Sequence, residues 1–180
     1  MPSDAPSLFS NDLYTRAREK VWIDYVGSRI ISAFHRLLQH TPDKPYSLDD
    51  AKLEVRDHLK KWISEASNDG DFFSGKDFSM VDVALAPWAV RLWPFEHFKG
   101  ITDLIPAEGK GGEDEKIWQR WRRWTKAIEE RNSVKNTLSD REHYLPIYQR
   151  YVSLTAAALL LPGLDKRANV FQICGRSSTE

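Results

Sequence analysis

Three groupings in this chain combine residue types and spacings that could do chemistry. Ser79 and Asp82 place a hydroxyl and a carboxylate three residues apart, at the head of the uncharged run Val83-Ala84-Leu85-Ala86-Pro87-Trp88-Ala89-Val90. As an active-site pair they would be unusual. As a reciprocal helix cap they fit directly: the serine side chain takes the amide of the third helical residue, and that residue's carboxylate returns to the serine amide, worth ~1 kcal/mol. The structural role is therefore the stronger reading, with Phe78 and Val83 at the positions of a hydrophobic staple. Trp88 and Arg91 follow three residues apart, so a helix gives them similar directions, and a guanidinium there could hold an anionic group. A buried indole with a structural ion pair explains them equally well. Tyr144, Tyr148 and Tyr151 recur at four and seven to make one aromatic stripe, for which core packing is the somewhat better account.

Other groupings are weaker. Trp118-Gln119-Arg120-Trp121-Arg122-Arg123-Trp124 interleaves rings and cations as a single-stranded nucleic-acid surface would. On a helix, however, the three tryptophans turn toward the core and the arginines are expected to remain solvated, with Glu129 and Glu130 offsetting their charge. No nucleic-acid partner is expected. His35, His40, His58, His97 and His143 show no spacing of a metal site, and none is expected. The single cysteine, Cys174, has no evident base or helix start to lower its pKa and is a poor nucleophile candidate.

Positioning these residues falls to a chain of 180 residues, enough for one domain and one core. Lysine plus arginine number 26 and aspartate plus glutamate number 26, so no net charge draws the chain to nucleic acid or an anionic membrane. One cysteine excludes an internal disulfide and fits a reducing compartment, with the cytoplasm as the default. Residues 1–11 do not resemble a secretory signal. The apolar run from Thr155 to Leu161 is far shorter than the roughly 20 residues a bilayer span needs, so no membrane partner is expected.

Periodicity predicts helices throughout and no competing strand. The first runs from an Asp12 cap through Leu13, Ala17, Val21, Trp22, Val26, Ile30, Phe34 and Leu38 as one long amphipathic helix, with Gly27 marking a bend or a close helix contact. The second opens on a Ser47–Asp50 capping box and buries Ala51, Val55, Leu59, Trp62 and Ile63. The third starts at Ser79, carries Leu85, Ala86, Val90 and Leu92, is kinked at Pro87, and should be central and buried on nearly all sides. Residues 99–115 read as a mobile surface loop. A fourth helix spans about Asp114 to Arg131, and a fifth starts near Ser139 and carries Tyr144, Ile147, Tyr148 and Tyr151. The domain organisation is a linker-like segment 1–11, an all-helical domain 12–161, and a loose tail 162–180.

A buried central helix opened by Ser-x-x-Asp within five or more helices resembles the C-terminal domain of a glutathione S-transferase. The segments Asp12 to Val26, Ala33 to Gln39, Pro87 to Leu92 and Arg141 to Tyr148 resemble the omega-like class. The resemblance implies an all-α glutathione-transferase C-terminal-like bundle whose residues Trp88, Arg91, Tyr144 and Tyr151 line a hydrophobic substrate site. In that class a thioredoxin-like domain precedes this one and supplies the glutathione site and a cysteine nucleophile. Nothing in these residues resembles that domain, so no cofactor is expected in this chain, glutathione being implied only for the two-domain enzyme. By itself the chain should be weakly active or inactive. The candidate partners are a hydrophobic small molecule and a second copy of the chain. Two alternatives stay open: a non-catalytic interaction or scaffold module, and a stand-alone ligand-binding or isomerising protein using the same pocket.

Overall fold

The computed structural model describes residues 7–160, with side chains through Val152. Helix α1 (Leu13–Tyr25) passes through a π-helical turn (Val26–Ile30) into α2 (Ile31–Leu38); then come α3 (Leu48–Ser64), α4 (Met80–Ala89), α5 (Trp93–Lys99), α6 (Glu115–Glu130), α7 (Asn132–Lys135) and α8 (Arg141–Leu160). Among the described residues there is no strand, only one bridge between Phe72 and Gly75. The helical ladder thus accounts for the fold, an all-α bundle. The expected tail 162–180 lies outside the described residues.

The first long helix forms, but not with one register. The π turn inserts an extra residue and rotates the apolar face, so Val26, Ile30, Ala33, Phe34, Leu37 and Leu38 are buried while Leu13, Ala17 and Val21 are exposed. Gly27 marks this turn and makes no close helix contact: a Cβ there would meet nothing within 4 Å. Helix α3 opens on the Ser47–Asp50 box, with the Asp50 amide donating to Ser47 Oγ at 3.0 Å, and buries Ala51, Val55, Leu59, Trp62 and Ile63. Helix α6 adds Trp118, Trp121, Trp124 and Ile128 to the same core, where Trp62 meets Trp124 edge-on at 4.9 Å and Phe73 at 4.7 Å.

Two expectations are corrected here. Helix α4 stops at Ala89, and Leu92 instead precedes a separate short helix, α5, whose Phe95 is fully buried. The segment 99–115 is anchored: Ile101 and Leu104 are buried, and Glu115 accepts from the Gly109 and Gly111 amides at 3.0 and 2.6 Å. Composition showed the polar half of that segment and hid its two anchors. The fifth predicted helix begins at Arg141, near the expected Ser139, but a separate short helix at 132–135 precedes it and Ile147 is exposed on it.

Candidate functional site

The Ser79–Asp82 pair is buried at the head of α4, at 5% and 0% exposure. Asp82 Oδ2 accepts from the Ser79 amide at 2.9 Å and from Ser79 Oγ at 2.8 Å, within the capping box. Its other oxygen, Oδ1, accepts from the Phe73 amide and from Trp124 Nε1, both at 2.8 Å. One carboxylate therefore ties α4 to the turn before it and to α6. With its acceptor sites filled by four donors and no path to solvent, it is a junction, and it has no free lone pair geometry for substrate.

The turn it holds is fixed from the other side by Arg120. This arginine is buried, and its guanidinium donates to the Ser67, Asp71 and Phe72 carbonyls at 2.9 to 3.2 Å. Arg123 donates to Gly70 O at 2.6 Å, and Arg122 to Pro106 O at 2.9 Å while pairing with Glu115. The three arginines thus bind backbone carbonyls and carboxylates; Arg123 remains exposed as expected, Arg122 is half-buried, and Arg120 is buried against the expectation. Unpaired carbonyls in a turn pressed against the core need donors, and a residue between two buried tryptophans is where the donor is supplied. Gly70 completes the turn, since a Cβ there would lie 2.2 Å from the Gly75 carbonyl oxygen.

Helix α4 presents three faces and is covered on nearly all sides, as expected: Pro87 is its one exposed residue. Asp82, Leu85 and Ala89 face the core. Ala84, Trp88 and Arg91 form a second face, toward α2 and α8. Half-buried Trp88 meets Phe34 edge-on at 5.1 Å and His35 at 5.5 Å, and His35 in turn lies 5.6 Å from Tyr151. The Arg91 guanidinium sits 4.9 Å from the centre of the Tyr144 ring and beside the Tyr148 hydroxyl. Burial raises the Tyr148 phenol above its ordinary pKa, and the charge and hydrogen bond of Arg91 oppose that rise. Burial lowers the His35 imidazole, which keeps it neutral at physiological pH.

The third face of α4, Val83, Ala86, Pro87 and Val90, is one wall of an apolar groove of about 420 Å³. Its other wall is Arg131, Ser133, Val134, Thr137 and Leu138, and Leu8 and Phe78 close one end. Phe78 and Val83, the expected staple pair, share this groove. A polar cleft of about 630 Å³ adjoins it, with the buried Glu19 accepting from the Ser10 amide and the Ser74 hydroxyl, each at 3.1 Å.

Four candidate residues are thus distributed over two places. Trp88 and Tyr151 flank His35 at the α2–α4–α8 junction, while Arg91 and Tyr144 meet nearer the start of α8; only Arg91 also borders the groove. Sequence reading missed His35 as the shared neighbour and Tyr148 as the buried ring of the stripe. A histidine beside Phe34 on the apolar face of α2 was the available signal. Arg131 and Val134, in a segment without helical period, gave none. Among the described residues no three His, Cys, Asp or Glu side chains group as a metal site, and no helix is long and apolar enough to cross a membrane.

Comparison with known proteins places this architecture. Residues 45–127 match the profile of the glutathione S-transferase C-terminal domain. The chain is 28% identical over 141 residues to the probable glutathione S-transferase parC of Nicotiana tabacum, covering 78% of this chain and 57% of that protein. Its fold superposes on glutathione transferase Omega 3C from Trametes versicolor with a TM-score of 0.62 and 33% identity, over 87% of this chain and 60% of that one. Rice GST1 shares the fold at a TM-score of 0.62 and 21% identity. The chain therefore spans less than two thirds of the length of these relatives. Profile, relatives and fold agree that the helical body of this chain has the fold of a glutathione S-transferase C-terminal domain, whose profile residues 45–127 match.

Proposed function

We propose that this chain forms the hydrophobic-substrate side of an omega-like glutathione S-transferase that carries out glutathione-dependent thiol transfer or conjugation. The observation that carries the reading is the aromatic junction of α2, α4 and α8, where Trp88, His35 and Tyr151 converge beside Arg91 and Tyr144. Such a wall buries an apolar substrate body, and a guanidinium at its edge orients an anionic group. The 33% identity to an omega-class structure supports the class. The single cysteine, Cys174, has no evident base or helix start to activate it, so the thiolate and the glutathione site of that class would come from a thioredoxin-like domain outside these 180 residues. Alone, the chain is then a weak or inactive enzyme, and a reducing compartment such as the cytoplasm suits it.

Calorimetry with glutathione and a conjugation assay test this together. The expected result is no glutathione binding and no turnover by the chain alone, with an apolar ligand whose affinity drops when Trp88 or Tyr151 is replaced by alanine. Robust conjugation by these 180 residues would overturn the division of labour. A second reading, assembly through α1, has its own observation: Leu13, Tyr14 and Val21 are 78%, 79% and 64% exposed on one helix. A second copy of the chain is the proposed partner for that stripe.

A further inference from the structure

The polar cleft of about 630 Å³ lies between the 7–11 segment, the first turns of α1 and the 72–79 turn. Glu19 lines it and is only 3% exposed. Its carboxylate nevertheless accepts only from neutral donors, the Ser10 amide and the Ser74 hydroxyl, and pairs with no cation among the described residues. A buried carboxylate is costly unless its lone pairs are filled, and here each oxygen keeps one for a further donor. Nearer the mouth, Asn11, Lys76 and Asp77 are exposed, and their side chains make no hydrogen bond or ion pair with a described residue. Arg131, on the same lining, spends Nε on Ser133 Oγ and rests over the Phe78 ring at 4.1 Å, with its other donors left over. Spare acceptors on Glu19 and Asp77 thus stand beside spare donors on Lys76 and Arg131, Asn11 offers both, and the charges of these four side chains cancel. Phe72 and Phe78, edge-on at 5.4 Å, add a half-buried apolar wall.

We propose that this cleft binds a neutral polyhydroxylated molecule, a sugar ring or a polyol, whose hydroxyls donate to Glu19 and whose carbon face lies against Phe72 and Phe78. A net anion would meet Glu19 and Asp77, and a net cation would meet Lys76 and Arg131. A hydroxyl avoids both conflicts, because each one donates and accepts at once. Hydrogen bonds from hydroxyls to an ionised carboxylate are roughly twice as strong as those between neutral groups, so the buried Glu19 carries most of the affinity. A space of about 630 Å³ is within the range of small-molecule sites. The cleft uses none of Trp88, Arg91, Tyr144 and Tyr151, so its failure would leave the substrate-wall reading standing.

The test titrates the full isotope-labelled chain with methyl glucoside, methyl mannoside and inositol, using butylammonium and propionate as charged controls. At least one of the three polyols should bind in the millimolar range and shift the amides of Ser10, Ser74 and Asp77 saturably, while neither ion does. Glu19→Gln, which keeps the shape and removes the charge, should weaken that polyol about tenfold, the loss of a charge-assisted hydrogen bond. Should this buried substitution unfold the chain, Asn11→Ala combined with Asp77→Ala carries the test. Both side chains are exposed, so the double variant should keep its melting temperature and still weaken the polyol about tenfold. Lys126→Gln, outside the cleft, should change nothing. The proposal is overturned if none of the three polyols shifts these amides, if butylammonium or propionate binds there more tightly than they do, or if the folded variants keep full affinity.

Discussion

Replacing Asp82 with alanine is the sharpest test of how this domain is held together. The carboxylate is fully buried and accepts four hydrogen bonds, from the Ser79 amide and hydroxyl, the Phe73 amide and Trp124 Nε1. The Ser79 hydroxyl can turn to another acceptor, but the two amides and the indole N–H cannot. Each buried donor left without a partner costs about 1–3 kcal/mol, so three of them, with water entering the vacated space, amount to roughly 4–6 kcal/mol. A cap in isolation would cost only ~1 kcal/mol. At about 2–4 °C per kcal/mol for a chain of this size, the melting temperature should fall by roughly 10–20 °C. Urea unfolding gives the free energy directly. Asp82→Asn, which keeps Oδ1 for Phe73 and Trp124 and disturbs only the Ser79 side, should lose about half as much. Trp124→Phe should remove one donor, and its loss should be smaller in the Asp82→Ala background than alone if the two groups act as one unit. A loss below about 1.5 kcal/mol for Asp82→Ala would reduce the residue to an ordinary cap and refute the three-way junction.

Arg120→Lys keeps the charge but loses the fork that reaches three carbonyls; it should cost about 2 kcal/mol by urea unfolding and open the 67–73 turn to proteolysis. His35 and His58 are both held below their ordinary pKa, first by burial. The folded chain then binds fewer protons than the unfolded one near pH 6, so stability should be full above about pH 6.5 and decline as pH falls. Replacing both histidines by glutamine should flatten the urea midpoint between pH 7 and 5; an unchanged slope would put its source elsewhere. Tyr14→Lys with Val21→Lys should abolish any self-association seen by light scattering while leaving the melting temperature within a degree or two, because both side chains are exposed.

The elements legible in the sequence were those whose cause is local. The Ser47–Asp50 and Ser79–Asp82 boxes announced two helix starts because capping is a contact over three residues, and the α3 face was readable because its five buried residues keep one period. Periodicity failed at the π turn, where one inserted residue moved Leu13, Ala17 and Val21 from the expected buried face to solvent. It failed again at Arg120, since a residue type normally solvated was recruited by carbonyls some 50 positions away. Trp88 and Arg91 were correctly placed on one face of a helix, yet their neighbours His35, Tyr144 and Tyr148 come from α2 and α8. Nothing local encodes that meeting.

The same nonlocality explains why a short helix can serve three purposes. Ten residues of α4 carry a buried carboxylate that joins the preceding turn to α6, the indole at the aromatic junction, and the apolar wall of the groove. A ten-residue helix is too short to be stable by propensity. Its orientation must be set from outside, and Asp82 does so at the first turn, while Trp88 against Phe34 and His35 does so at the last. Between these anchors the face of Val83, Ala86, Pro87 and Val90 packs only in part, with Ala86 buried and Pro87 exposed. If that is the logic, loosening the first anchor must be felt at the last. Asp82→Asn should broaden or shift the Trp88 and Tyr151 resonances under conditions where the domain is still folded. A variant that loses stability yet keeps those resonances unchanged would show that α4 is held by its neighbours all along its length.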